Sequence, residues 1–362
     1  MTAHRRTRLR ALLAEQGLDA LLVTDLINIR YLTGFTGSNA ALLITSGGDE
    51  QAVFCTDGRY EEQSAAEVPD LTRRIDRPSD LSLLACATGR VGFEALAVSF
   101  AQHSGFVTAV PGTTTLLPTT GLVEGLRAIK DAGEIDALRT ACAVADHALA
   151  DLIDAGGIRA GRTEREVGLD LDERMRRLGA SDPAFETIVA AGEHSAIPHH
   201  RPTGRVLRTG DLLKLDFGAA VSGYHSDMTR TFVLGRPSDW QVEIFMVVAA
   251  AQLAGRQAAV VGTTGGTVDA AARDLITAAG YGPQFAHGLG HGVGLQVHEA
   301  PSLARGQAGI IEADMCVTVE PGVYLPGRGG VRIEDSGVVR ATDSPADAYE
   351  VLTLTSRELV EL

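Results

Sequence analysis

Lysine is almost missing from this chain. Only Lys130 and Lys214 occur, so arginine carries nearly all of the positive charge. A skew of that kind follows from genome composition and implies no mechanism. Positive charge is also in deficit: 46 acidic residues against 32 basic ones leave a formal charge of −14, which argues against broad binding to a phosphate backbone and hence against a nucleic-acid partner. Cysteine is sparse as well. Cys55, Cys86, Cys142 and Cys316 lie far apart and form no C-x-x-C pair, which suits a reducing compartment and reads as four small apolar side chains. No long hydrophobic run is present either. The first residues begin with arginines as a signal peptide does, but Glu15 and Asp19 interrupt the apolar part. Ala11, Leu12, Leu18, Leu21 and Leu22 fit a helix followed by a strand. We therefore expect no signal peptide, no spanning helix and no membrane partner, and with them a cytoplasmic protein.

What is present describes an ordinary globular chain. A hydrophobic content of 45% with 22% charged residues excludes disorder, and 362 residues favour two domains, with enough chain to bury a large core unaided. Residues 1–122 alternate apolar runs with helix-like stretches. Strands are predicted at "ALLVT" (20–24), "AALLIT" (40–45), "QAVFCT" (51–56) and "VGFEAL" (91–96). Helices are predicted within "GRYEEQSAAEV" and "VSFAQHSGFVTAV", giving a modest α/β domain. "YLTGFTGSNAALL" (31–43) and "TDGRY" (56–60) read as turn chemistry leading into regular structure.

The stretch "PGTTTLLPTTGLVEG" (111–125) is rich in Pro, Thr and Gly and marks the expected domain boundary. From 126 to 362 we expect an α+β domain, with helices outside a largely antiparallel sheet. Helices are predicted at 132–155, 163–180, 238–260 and 267–279, the second opened by a Thr163/Glu166 capping box. Strands are predicted at 184–191, 212–218 and 228–234, with two more strand pairs closing the chain.

The chemistry concentrates in this second part. "LLKLDFGAAVSGYHSDMTRTFVL" (212–234) reads as a hairpin about a Ser-Gly turn, with Asp216 and Asp227 in its arms. With an even-length loop, odd positions face even ones, so the two aspartates share a face, opposite or diagonal. A bulge would separate them. Two ionised carboxylates inside apolar strands repel and resist burial, so a cation belongs between them: Arg230 or a metal ion. "VTVEPGVYLPGRGGVRIEDSGVV" (317–339) repeats the pattern. Glu320 and Glu334 flank a Gly-rich loop near Gly327 and Arg328 and share a face if that loop is odd.

Between the hairpins lies "HGLGHGVGLQVHE" (287–299), with His287, His291 and His298 among four glycines. Four carboxylates with one or two imidazoles suit a pair of Mn²⁺, Co²⁺ or similar ions better than a structural zinc. Two such ions about 3.5–4 Å apart share a bridging water that becomes a nucleophile near neutral pH. The residues alone thus point to a dinuclear hydrolase.

"HGLGHGVGLQVHE" resembles the signature of the proline-specific metallopeptidases of the pita-bread fold, aminopeptidase P and prolidase. "SAIPHHRPTGR" (195–205), "LDFGAAVSGYHSDMTRTF" and "RAIKDAGEIDALR" (127–139) are of the same type, and "YLTGFTGSNAALL" with "TDGRY" resembles the smaller domain that precedes the catalytic one there. The resemblance covers nearly the whole chain. It implies an α/β N-terminal domain followed by a pita-bread catalytic domain. Asp216 matches a ligand of one metal, Asp227 and Glu334 bridging carboxylates, His291 the single imidazole ligand, and Glu320 a ligand that also shuttles a proton. His298 and His199 match histidines at the scissile carbonyl, Arg332 an arginine holding a bridging carboxylate, and His287 a histidine lining the site. His194, His200 and His225 match no role, and Glu299 is left open.

The activity so implied is release of an N-terminal residue from before a proline, an Xaa-Pro aminopeptidase using two divalent ions, Mn²⁺ first and Co²⁺ or Zn²⁺ as alternatives, with a bridging hydroxide. Peptides with proline second are the expected partners, and a homodimer or dimer of dimers the expected assembly. A prolidase, which cuts only Xaa-Pro dipeptides, is the main alternative and needs a cation near the product carboxylate. A creatinase-like amidinohydrolase or a non-catalytic binding module is expected to have lost metal ligands, and all five stand here.

Overall fold

Apolar runs too short to cross a core as helices but rich in Val, Leu and Ile become strands, and in the first part of this chain they form one mixed sheet. The computed structural model describes the backbone of residues 1–362 and every side chain except that of Pro345. It divides into two compact units, Met1–Arg127 and Ala128–Leu362.

The first unit is a six-stranded sheet in the order Thr72–Ile75, Val53–Thr56, Ala40–Thr45, Ala20–Val23, Gly89–Glu94, Thr114–Thr119. Ala40–Thr45 pairs antiparallel with both of its neighbours, and the other three pairs are parallel. Leu22, Ala41, Cys55, Val91 and Phe106 pack together in its core. The helix Thr2–Glu15 and strand Ala20–Val23 occupy the N-terminal stretch as expected. Tyr31 lies in a helix, Leu26–Thr33, that Asp25 caps and that Gly34 ends at φ +86°, where glycine meets no Cβ penalty. Two strands escaped the sequence reading. Thr72–Ile75 is a mostly exposed edge without apolar alternation. Thr114–Thr119, with the helix Leu122–Ala128, fills the stretch expected to be a boundary; the division of the chain falls after Arg127 instead.

The second unit carries four long helices, Ala132–Asp154, Glu164–Arg177, Asp239–Ala258 and Gly265–Ala278. Thr163 and Glu166 form the expected capping box. In place of one sheet there are four antiparallel ones. Leu212–Phe217 pairs with both Met228–Val233 and Ile188–Ala191, while the hairpin tip, Ala219–Val221 with Tyr224–His225, joins Asp182–Pro183. The closing region holds seven strands where two pairs were expected: a five-stranded sheet (Glu299–Leu303, Gly290–Gly292, Cys316–Val319, Asp335–Val339, Tyr349–Val351) and the ribbon Gly322–Leu325 with Gly329–Arg332. One long hairpin passes from sheet to ribbon in a single register, Val319 opposite Asp335 and Gly322 opposite Arg332. Two apolar clusters fill the unit, one around Leu149, Leu171, Leu215 and Phe217 and one around Val248, Ile276, Val317 and Val331.

Candidate metal centre

Register brings the acids together. Thr229 lies opposite Asp216 across the first hairpin, so Asp227, two residues before Thr229, sits diagonal to Asp216 on the same face. In the second hairpin the register of Gly322 with Arg332, continued by two residues, sets Glu320 against Glu334 at the junction of sheet and ribbon. His291 is the middle residue of Gly290–Gly292. Its neighbours must be glycines: a Cβ on Gly290 would lie 2.1 Å from Thr318 O, and one on Gly292 2.0 Å from Ala300 O.

These five side chains line one cavity of about 390 Å³ together with His199, His298 and Arg332. The cavity's apolar wall is Phe185, Ile188 and Val297. Asp227, Glu320 and Glu334 are crowded enough to resist ionisation. Burial, reinforced by the charge of Glu334, pushes the Asp227 carboxyl well up. Burial and the same neighbour do so for Glu320. Glu334 is pushed up to about 8 by burial and then Asp216.

His291 shows what the cluster is built for. Its Nδ1 donates to Gly292 O at 3.0 Å, which fixes Nε2 as the unprotonated nitrogen, and burial lowers the ring pKa to about 4. That Nε2 lone pair faces Glu320 Oε1 at 3.4 Å and Asp227 Oδ2 at 3.6 Å, acceptor toward acceptor. Asp216 Oδ1 is buried with no hydrogen-bond partner. Donor atoms of Asp227, His291 and Glu334 lie within 4.8 Å of one another. Converging lone pairs, an orphaned buried oxygen and mutually repelling acids all require cations, and the donor set is that of hard or borderline divalent metals. The residues fit the metals.

Around them a set of hydrogen bonds holds Asp216 and Glu334. Arg332 contacts Asp216 Oδ2 through Nη2, and its Nε donates to Thr229 Oγ1 at 3.0 Å. Thr229 Oγ1 in turn donates to Glu334 Oε2 at 2.7 Å. Arg332 Nη1 donates to Tyr324 OH at 2.8 Å, and Tyr324 OH donates to His287 Nε2 at 2.8 Å, because His287 Nδ1 donates to Gly288 O. The His287 ring thus supports Tyr324, its Nδ1 lies 4.0 Å from Glu320 Oε2, and it also lines a second cavity of about 620 Å³. Arg230 is not the cation between the aspartates; it binds Asp335, Glu334 O and Thr355 O, and Arg332 takes the position beside Asp216.

His298 stacks edge-on against His291, ring centroids 4.4 Å apart. His199 lines the cleft, its pKa lowered by burial and by Arg332. The segment that carries it is tied down by two groups the sequence reading missed. Buried Lys214 donates from Nζ to Ile197 O and Pro198 O, and buried Glu164 accepts from Ala191 N, His194, His200 and both donors of Thr203. Donor atoms of Glu164, His194 and His200 are also within 4.8 Å of one another, but both carboxylate oxygens are already saturated by these donors, so the group reads as a loop anchor. His225 rests on Gly294 O. Glu299 pairs with buried Lys130 at 3.0 Å. No helix among the described residues is long and apolar enough to cross a membrane.

The chain is similar to known proteins along its whole length. The solved Xaa-Pro dipeptidase from Bacillus anthracis is 39% identical, with a TM-score of 0.93 and both chains covered in full. An X-Pro aminopeptidase from Thermotoga maritima is 33% identical with a TM-score of 0.88 over 99% of each chain. The Xaa-Pro dipeptidase of Pyrococcus furiosus is 33% identical over 96% of both sequences. Residues 5–129 match the creatinase/prolidase N-terminal domain. Residues 136–341, which contain the whole metal centre, match metallopeptidase family M24, and the chain belongs to that family.

Proposed function

We propose that this metallopeptidase is a prolidase, hydrolysing Xaa-Pro dipeptides. The observation that carries a metal-dependent hydrolase is the convergence of Asp216, Asp227, Glu320 and Glu334 on the unprotonated Nε2 side of His291. Support for the dipeptide comes from the relatives in Bacillus anthracis and Pyrococcus furiosus, both named Xaa-Pro dipeptidases. They favour it over the aminopeptidase expected from the sequence, which the Thermotoga maritima protein keeps as a second reading.

Asp216, Asp227, His291, Glu320 and Glu334 would hold two divalent ions. An oxygen-rich set with one imidazole and no thiolate favours Mn²⁺ or Co²⁺ over Zn²⁺. When bound, such ions supply Lewis acidity toward a carbonyl and lower the pKa of water toward neutrality. The protein's own groups do the rest. Phe185, Ile188 and Val297 form a surface for the proline ring. His298 and His199 face the cleft as N–H donors for the oxygen of the scissile carbonyl as negative charge develops there. Proline's nitrogen has no hydrogen in the peptide and must gain a proton to leave. The Glu320 carboxylate, on the cavity wall beside His291 Nε2, takes a proton from the attacking water and returns it to that nitrogen. Arg332 keeps Asp216 oriented throughout.

The test is hydrolysis of Ala-Pro and of Ala-Pro-Ala by Mn²⁺-loaded protein, with Asp227→Asn as the control. Free proline from Ala-Pro that the control fails to release is the expected result. Release of alanine from Ala-Pro-Ala alone would transfer the reading to the aminopeptidase. Inactivity on both would sink it.

A further inference from the structure

Both lysines of this chain are buried. Lys130 pairs with Glu299 at 3.0 Å, but Lys214 makes no ion pair among the described residues. Lys214 is 0% exposed. Its Nζ donates to Ile197 O at 2.7 Å and to Pro198 O at 3.2 Å, and the Tyr324 ring faces it with the centroid 5.1 Å away. A lysine amino group taken out of water without a carboxylate partner lowers stability. The fold alone therefore gives no reason for it; what it holds does.

Ile197 and Pro198 directly precede His199, in a stretch between Ala196 and Leu212 that contains no helix or strand. No ladder of hydrogen bonds satisfies their carbonyls, and Pro198 has no N–H by which to be anchored. The His199 ring makes no hydrogen bond within the protein among the described residues. Its place in the cleft thus depends on how those two carbonyls are held. Arg332 Nη1 donates to Pro198 O at 3.2 Å, whereas Lys214 donates to both. Lys214 also stands two residues before Asp216 in the strand Leu212–Phe217. The two side chains leave the same face of that strand, their Cα atoms about 7 Å apart. One strand carries both a candidate metal ligand and the clamp on the segment of His199.

Resting on the reading of His199 as a donor to the scissile carbonyl, we propose that Lys214 is a positioning residue that keys the His199 ring to the metal ligands and acts on turnover through His199. Released from the clamp, the ring no longer meets the oxygen on which negative charge develops, and a displacement of about 1 Å is enough to matter there.

Mn²⁺-loaded wild type, Lys214→Met, His199→Ala and the double variant are to be compared on Ala-Pro, with kcat and KM resolved and folding checked by urea melts. Methionine keeps the length of the side chain and removes its donors. Lys214→Met should lose about 10-fold to 100-fold in kcat with a smaller change in KM. In the His199→Ala background the same substitution should change kcat by less than about twofold. Titration calorimetry on metal-stripped protein should show no weakening of Mn²⁺ affinity, because Asp216 is contacted by Arg332 and not by Lys214. Should Lys214→Met fail to fold, Lys214→Arg, which keeps donors but not their tetrahedral spread, goes through the same cycle, with a smaller loss that again vanishes without His199. An undiminished kcat, a loss of full size in the His199→Ala background, or an Mn²⁺ affinity that falls in step with kcat overturns the proposal and leaves the dipeptidase standing. A wild type inactive on Ala-Pro overturns the dipeptidase instead; the cycle is then read on Ala-Pro-Ala, and inactivity there too ends both.

Discussion

Thr229 Oγ1 donates to Glu334 Oε2 at 2.7 Å while accepting from Arg332 Nε at 3.0 Å, so one buried hydroxyl holds both Glu334 and the arginine that contacts Asp216. Thr229→Val keeps the shape and removes the hydroxyl. Glu334 then loses its side-chain donor, and Arg332 Nε loses its acceptor inside the protein. Mn²⁺ affinity should weaken about 10-fold to 100-fold, the usual effect of losing a group that orients a ligand, and the fold should lose about 1–3 kcal/mol. Titration calorimetry on metal-stripped protein and denaturant melts measure the two separately. Unchanged affinity would show that Glu334 is positioned by its backbone alone.

Tyr324 links the arginine to the histidine next in line. Burial pushes its phenol up to about 12, so at working pH it stays a donor to His287 and an acceptor from Arg332. Tyr324→Phe removes both bonds and little volume. We expect kcat to fall about tenfold with a smaller change in KM, because the residue touches ligand supports and not the cleft's apolar wall. Steady-state kinetics on Ala-Pro decide it; a pure KM effect would place Tyr324 against substrate instead.

The two acidic pairs were legible because pairing parity is a local property, while their assignment as ligands with His291 came from the family resemblance. Asp216 with Asp227, and Glu320 with Glu334, could each be placed on one face from hairpin numbering. The supports were not legible, since each bond joins distant strands: Thr229 meets Glu334 across 105 residues and Arg332 meets Asp216 across 116. Glu164 and Tyr324 look like surface or core residues until the fold closes around them. The same limit explains Arg230, a plausible counter-ion by proximity in sequence that points away from the aspartates to Asp335. In the first unit the edge strand Thr72–Ile75 lacks any apolar alternation, so no periodicity marked it.

Glu164 should make the second unit acid-sensitive. Burial alone would raise its pKa, but donors from Thr203, Ala191 and His200 outweigh it and hold the carboxyl down at about 2. A depressed folded pKa contributes stability that is present above the unfolded value, near 4.3, and is lost as pH falls through the folded one. Glu164→Gln cannot satisfy the same donors and should lower the ratio of folded to unfolded protein at pH 7 at least several-fold, read as an earlier urea midpoint. Its deficit should shrink between about pH 4.3 and 2. Paired urea melts of wild type and variant across that window test this; a gap that stays constant with pH would mean the carboxylate's charge is not what anchors the loop.

Removing the metals should invert the usual preference for neutral pH. In metal-stripped protein Glu334 titrates near 8, raised first by burial and then by Asp216, and Asp227 and Glu320 are raised in the same direction. A raised folded pKa contributes stability that is full below the unfolded value and lost as pH climbs through the folded one. Stripped protein should therefore melt at lower temperature at pH 8 than at pH 5.5. Divalent ions bind the ionised carboxylates, so loading should restore most stability where repulsion is worst, and Mn²⁺ should raise the melting temperature more at pH 8 than at pH 5.5. Differential scanning calorimetry with chelator and with excess Mn²⁺ at both pH values gives four melting temperatures. An equal Mn²⁺ shift at both would mean that Asp227, Glu320 and Glu334 do not carry the repulsion that their crowding in one cavity implies.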